Sequence, residues 1–262
     1  MPRRRSPFLT PQLLAEIDDD PLPVVTKATD YPAGHVIDSH LHARGQLVYA
    51  VHGVMMVAAE GGQWIVPPTR AIWMPAGVSH MIRCIGVVHM RSIYVRPDAA
   101  PHLPGKAHAV GVSGLLSALI QAAVAIVPPY APGSRDDRVM RLLLDELHAL
   151  PVLPLHLPQP VDARLRRICA RLAARPDDVS TLADWAARLA LDVKTIQRLF
   201  ARETGMTFGQ WRQQARLLHG LERLAVGDKV VDVALALGYD SPSAFAAMFK
   251  RQFGETPSAF FR

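Results

Sequence analysis

The chain of 262 residues holds only two cysteines, Cys84 and Cys169, so no disulfide framework organises it and both thiols are expected to stay reduced. It also lacks an apolar run long enough to cross a bilayer. The longest uncharged stretch, Val110 to Ser134, is broken by Gly, Ser, Gln and Pro128-Pro129, and its apolar part falls short of the ~20 residues a spanning helix needs. The first residues do not read as a targeting peptide either. Arg3, Arg4 and Arg5 lead into Pro7, Pro11 and the acidic run Asp18-Asp19-Asp20 with no apolar core, which predicts an arm. These absences exclude a disulfide scaffold and a membrane helix and point to a cytoplasmic globular protein.

Half of the residues are hydrophobic and a fifth charged, enough for two modest domains with separate cores. The net charge of +6 is unevenly spread. Residues 1–155 hold 13 Lys or Arg against 12 Asp or Glu, whereas residues 156–262 hold 16 against 11. A basic C-terminal segment beside a near-neutral one fits nucleic-acid binding confined to the C-terminal part, although five charges also serve solubility.

From Val36 to Val95 short apolar runs alternate with Gly and Pro, as in Gln46–Val51, Val54–Ala58, Gln63–Pro67 and Met90–Val95, with Gly61-Gly62 as a hairpin turn. That texture predicts a β-sandwich or barrel over residues 1–105, including the arm. Residues 106–150 then carry two helical patterns. One follows Leu115, Leu116, Leu119, Ile120, Ala123, Val124 and Val127; the other places Val139, Leu142, Leu143, Glu146 and Leu147 on one side. The first is a candidate dimer surface or a face packed on the barrel. Four prolines between Pro151 and Pro160 predict a stiff linker and the domain boundary.

Residues 161–262 read as helix throughout. Thr181 caps a short helix, Ala190-Leu191-Asp192 turn, and a second helix buries Ile196, Leu199 and Phe200 while Lys194, Thr195, Gln197 and Arg198 face out. Arg and Lys can donate to guanine O6 and N7, and Gln can pair with adenine, although a solvated amphipathic helix has the same pattern. The arrangement recurs at Val231–Tyr239 and Ser241–Lys250. A long helix from Thr207 to about Ala225 separates the two units and spans roughly 30 Å at ~1.5 Å per residue. Reading helices on one face of a duplex lie about 34 Å apart, so this spacer has the right size. The second unit exposes Ser243, Ala244 and Ala247, small side chains with little direct readout, so Ser241, Lys250 and Arg251 are expected to bind phosphates.

The runs Thr195–Met206 and Ala236–Ser241, with Phe245, Phe249–Gly254 and Thr256-Pro257, resemble the two reading heads of AraC-type regulators. The resemblance covers residues 160–262. It implies a two-headed binding domain for double-stranded operator DNA, with recognition helices at 193–203 and 242–252. Lys194, Gln197 and Arg198 are the implied base readers, and Ser243 and Ala247 are weaker ones.

In the front half, Gly34-x5-His40-x-His42-x3-Gln46-x6-Gly53 resembles the first cupin motif and Pro75–His80 the second. Two residues two apart on a strand face the same way. By this resemblance His40, His42 and His80 fall in the three histidine places of metal-binding cupins, with Gln46 in the place of the carboxylate. A neutral amide leaves a metal's charge uncompensated and supplies no acid or base. Such a set suits a divalent transition metal, Zn, Ni, Co or Cu. The alternative is a vestigial site whose histidines bond an organic effector or each other. Tyr49, Met55, Trp64, Trp73 and Cys84 are candidates to line an effector pocket, or core residues; Cys84 shares the parity of His80.

The expected architecture is thus α+β and multidomain: a cupin-like β-barrel with a helical pair, then an all-α domain with two helix-turn-helix motifs. The expected function is a transcription factor that answers to a small molecule or metal in the barrel, not an enzyme. Homodimerisation and contact with RNA polymerase are its expected protein partnerships. The rival is a cupin metalloenzyme with a helical appendage; turnover and tightly held metal would mark it.

Overall fold

The computed structural model describes residues 8–68, 70–148, 152–153 and 156–261. Arg3, Arg4 and Arg5 and most of 149–155 lie outside the described residues. Two compact units divide at His156/Leu157, with the Gly61–Gln63 turn grouped with the second.

The first unit opens with helix α1 (Pro11–Asp18), capped by the Thr10 hydroxyl. Seven strands follow: β1 (Val24–Tyr31), β2 (Val36–His40), β3 (Gly45–Ala59), β4 (Gly62–Val66), β5 (Arg70–Met74), β6 (His80–Val95) and β7 (His108–Gly111). Then come helices α2 (Gly114–Val124) and α3 (Arg135–His148) and strand β8 (Val152–Leu153). The sheet runs β1-β6-β3-β5-β7-β8, with β2 on β6 and β4 on β3. The segment 151–160, expected as a plain linker, thus carries β8 and a further short strand, β9 (His156–Pro158).

β3 and β6 form the frame, antiparallel from Gly45↔Val95 to Ala59↔His80, with register shifts around His52. Gly53 sits at the second shift with φ of +82°. A Cβ there would lie 2.1 Å from the Val87 carbonyl oxygen, so only glycine lets β3 and β6 approach this closely. The irregularity exchanges the faces of β3. Before it the even residues, Gln46 among them, look into the barrel; after it Met55 does, paired with Cys84 on the face of His80.

The outer face carries the helices. Leu47, Tyr49, Trp73, Ile93 and Val110 pack with Leu116, Leu119, Ile120 and Ala123 of α2 and Met140, Leu143 and Leu147 of α3 in one buried core. The α2 stripe is therefore used against the barrel. In α3 the apolar line runs through Met140, and Leu142, expected inward, is 42 % exposed. α2 stops at Val124, so Val127 of the expected stripe lies beyond it.

The second unit comprises α4 (Ala163–Ala174), α5 (Leu182–Leu189), α6 (Val193–Thr204), α7 (Phe208–Ala225), α8 (Val230–Ala236), α9 (Pro242–Phe253) and α10 (Pro257–Phe260). Local chemistry sets these limits. Thr181 and Thr207 form capping boxes with Asp184 and Gln210, and Asp192 and Ser241 cap α6 and α9. Ala190, Gly205 and Gly254 stop their helices in the left-handed conformation. The core holds Leu165, Ile168, Trp211, Leu218, Leu221, Phe200, Phe245 and Phe249, all under 4 % exposed. The Trp211 indole donates to the Pro158 carbonyl at 2.7 Å.

Candidate functional site

Two places in the chain concentrate chemistry. In the second unit, α5 with α6 and α8 with α9 each form a helix, a tight turn and a second helix. On α6, Ile196, Leu199 and Phe200 are buried, which leaves Lys194, Gln197 and Arg198 exposed and Thr195 half-buried. On α9, Phe245, Met248, Phe249 and Phe253 fill the core, so Ser243, Ala247, Lys250 and Arg251 are exposed. Ser241 is half-buried and spends its hydroxyl on the Ala244 amide. Its role is the cap, and a phosphate would have to share it. Both outer faces follow from helical periodicity with aromatic anchors on the opposite side.

In the first unit, His40 ends β2, His80 begins β6, and Gln46 lies near the start of β3. His42, expected on the same strand as His40, instead sits on the connection between β2 and β3. Its carbonyl accepts the Gly77 amide at 2.9 Å, which ties the two cupin-like motifs together. His42, Gln46 and His80 are each 1 % exposed.

Each imidazole is held by a backbone carbonyl. Nδ1 of His40 donates to Asp38 O at 2.8 Å, of His42 to Arg44 O at 2.5 Å, and of His80 to Val78 O at 2.9 Å. A carbonyl can only accept, so each Nδ1 carries a proton, and in a neutral ring Nε2 is then left with its lone pair. One ligand atom from each ring lies within 4.8 Å of the others. Burial, the larger effect, and the neighbouring rings depress the His80 pKa to about 3, and burial also lowers that of His40. The His80 ring is neutral near pH 7.

Gln46 closes the cluster. Its Oε1 lies 3.0 Å from His42 Nε2 and 3.1 Å from His80 Nε2, while its amide nitrogen donates to Ser92 Oγ at 3.0 Å and the Tyr94 hydroxyl at 3.1 Å. In this orientation three lone pairs face one another with no proton between them. A cation at their centre relieves that. So does turning the amide over, so that its NH2 donates to both rings and the Ser92 and Tyr94 hydroxyls donate to Oε1. Turning the amide does nothing for His40 Nε2, which is buried without a hydrogen-bond partner among the described residues and which a cation at the centre would also serve. Three imidazoles and an amide oxygen fit a borderline-soft divalent metal.

The candidate effector-pocket residues separate. Met55 and Cys84 face each other across β3 and β6 on the interior side. Burial pushes the Cys84 thiol up to about 11, so it is a protonated filler. Tyr49 and Trp73 do not line the interior. Both lie on the outer face, Tyr49 as an odd residue ahead of the Gly53 exchange and Trp73 opposite Leu47 on β5; there the Tyr49 hydroxyl meets Ser117 Oγ at 3.1 Å and the Trp73 indole donates to Pro104 O at 2.9 Å. Trp73 borders an outer cavity of about 250 Å³ with Gly45, Pro75 and Leu103. Trp64 stacks on His156 at 4.6 Å. Sequence reasoning passed over Ser92 and Tyr94, although both share strand parity with His80 along β6.

Comparison with known proteins agrees with this division of labour. Residues 22–191 match the family described as AraC-like ligand binding domain, and residues 185–262 match the family described as helix-turn-helix domain. The HTH-type transcriptional regulator NimR of Escherichia coli is 34 % identical over 221 residues, 84 % of this chain and 81 % of that protein. The HTH-type transcriptional regulator RipA of Corynebacterium diphtheriae is 33 % identical over 107 residues, 41 % of this chain and 31 % of its own length. Among solved structures, ToxT from Vibrio cholerae aligns over 92 % of this chain and 98 % of its own, at 10 % identity and a TM-score of 0.38. These sequence relatives are named as regulators, which sets aside the metalloenzyme. The chain belongs to the AraC family of DNA-binding transcriptional regulators, with an AraC-like ligand-binding domain ahead of its helix-turn-helix domain.

Proposed function

We propose that this regulator reads a specific promoter site with both helix pairs and that occupancy of its histidine cluster by a divalent transition metal sets its affinity for that site. α6 supplies base readout through Lys194, Gln197 and Arg198, while α9 contributes mainly backbone contacts through Lys250 and Arg251 and small groove contacts at Ser243 and Ala247. His40, His42, His80 and the Gln46 oxygen hold the metal. It supplies a fixed positive charge in the barrel, and with no carboxylate in the donor set the site has no general base. The observation that carries this reading is the convergence of three Nε2 lone pairs and one amide oxygen, with His40 Nε2 left unpartnered.

A metal alters DNA binding only by favouring one of two states of the protein over the other. The direct test strips the purified protein with a chelator, reloads it with Zn or Co, and measures metal stoichiometry and affinity for its promoter duplex. One metal per chain, lost in His42→Ala, with at least a fivefold change in affinity on loading, supports the reading. A protein that takes up no metal yet binds its site would shift the effector to an organic molecule in the same interior. Homodimerisation is part of the proposal, and the mass of the metal-loaded protein in solution checks it.

A further inference from the structure

A recess in the second unit lies between α7 and α9, has a volume of about 430 Å³, and is bordered by Arg212, Gln213, Arg216, Tyr239, Ala247 and Arg251. Three guanidinium groups border it and no carboxylate does. The two acids that act on Arg216 are already paired elsewhere: Asp177 with Arg175 at 3.3 Å and Asp178 with Arg171 at 3.1 Å.

Arg212 and Arg216 are held in place by backbone carbonyls. Arg216 donates from Nε to Pro176 O at 2.7 Å and from Nη2 to Asp178 O at 3.4 Å. Arg212 donates from Nη1 to Ser180 O at 3.2 Å and lies over the Phe208 ring at 5.2 Å. Carbonyl oxygens carry no net charge, so these bonds fix the forks without neutralising them. Burial, the larger effect, and the neighbouring Arg212 charge lower the Arg216 pKa, and the Tyr239 hydroxyl feels both Arg216 and Arg251. Asp177 and Asp178 offset part of the charge on Arg216, but both are shared with other arginines, and like charges gathered this way favour an anion that joins them.

We propose that this recess is a phosphate clamp: it seats one backbone phosphate of the duplex, held by Arg212 and Arg251 with Tyr239 as a further hydroxyl donor, while Arg216 supplies fixed charge. Gly209, Ala244 and Ala247 border the same recess, and their small size admits a sugar–phosphate backbone where longer side chains would block it. The clamp explains how a second helix pair with few base-reading side chains still anchors: it fixes register, and α6 reads sequence. The inference rests on the reading of α9 as a DNA-facing helix.

The test is the salt dependence of binding to the footprinted duplex, measured by fluorescence anisotropy between 0.1 and 1 M KCl for the wild type and for Arg212→Ala and Arg251→Ala. Each phosphate contact contributes about 0.9 to the slope of log affinity against log salt. Each variant is expected to lose about that much slope and to bind roughly eightfold more weakly at 0.1 M salt, equally on specific and random duplexes. Arg212→Lys should recover most of the slope, which separates lost charge from a loosened fold, as does the melting temperature of each variant. Unchanged slopes in both alanine variants, with a footprint retained, would overturn the clamp and leave the reading of α9 standing. No discrete footprint in the wild type would overturn both. Saturable binding of inorganic pyrophosphate that leaves DNA affinity untouched would also overturn it, by making the recess a small-anion site.

Discussion

Replacing Gln46 by leucine removes the one side chain that four polar atoms share. Gln46 is 1 % exposed and meets His42 Nε2, His80 Nε2, Ser92 Oγ and the Tyr94 hydroxyl at 3.0 to 3.1 Å. Leucine is close to it in volume, so the cavity contribution is small and the cost is lost pairing. Ser92 and Tyr94 can still bond each other. With no metal bound the amide is turned so that its NH2 donates to both imidazole nitrogens, and leucine leaves those two acceptors unpaired. A buried acceptor without a partner costs about 1–3 kcal/mol, which places Gln46→Leu in the metal-free protein at roughly 2–6 kcal/mol. Urea unfolding of the first unit, followed by circular dichroism at the strand band, reads this directly. Gln46→Glu is the companion. It keeps shape and acceptor atoms and adds the negative charge that a divalent ion lacks here, so metal affinity should rise at least tenfold, about 1.4 kcal/mol. A leucine variant within about 0.5 kcal/mol of wild type, with unchanged metal uptake, would refute the account of the cluster.

Arg198→Ala should weaken binding to the specific site by about 1–3 kcal/mol and relax base preference at one position, checked by affinity on single-base variants of the operator. Gly53→Ala should destabilise the barrel by more than about 3 kcal/mol, because a left-handed alanine and a Cβ 2.1 Å from the Val87 carbonyl both have to be accommodated; thermal melting checks it. Cys84 and Cys169, with pKa values pushed up by burial to about 11 and about 12, should not react with a thiol reagent at pH 8 over minutes in the native protein, and both should react once urea unfolds it.

The helical unit was legible because its signals are local. Thr181, Asp192, Thr207 and Ser241 begin helices, Gly205 and Gly254 end them, and the aromatic anchors recur with helical spacing. The resemblance of 160–262 to a known two-headed domain added the functional direction. The histidine set was readable from motif spacing, but the reason its rings converge was not. His42 sits off the strand, and its orientation depends on Arg44 O and the Gly77 amide. Tyr49 and Met55 have the same sequence parity, yet the irregularity at Gly53 sends them to opposite faces of the sheet. Strand alternation alone cannot show such a slip. In α3 Met140 is buried and Leu142 exposed, a difference of half a turn that periodicity does not resolve. Arg212 and Arg216 lie on the spacer helix far in sequence from Arg251, and only the fold brings the three together.

The central claim is that occupancy of the barrel controls a sequence-specific DNA reader. Footprinting of the purified protein on its promoter tests it most directly, with wild type and His42→Ala compared side by side, each metal-loaded and chelator-treated. The account predicts two protected major-groove segments about one helical turn apart, strengthened or weakened by metal in the wild type and indifferent to metal in His42→Ala. A wild-type footprint identical with and without bound metal would contradict metal control, and the absence of any discrete footprint would contradict the reader itself.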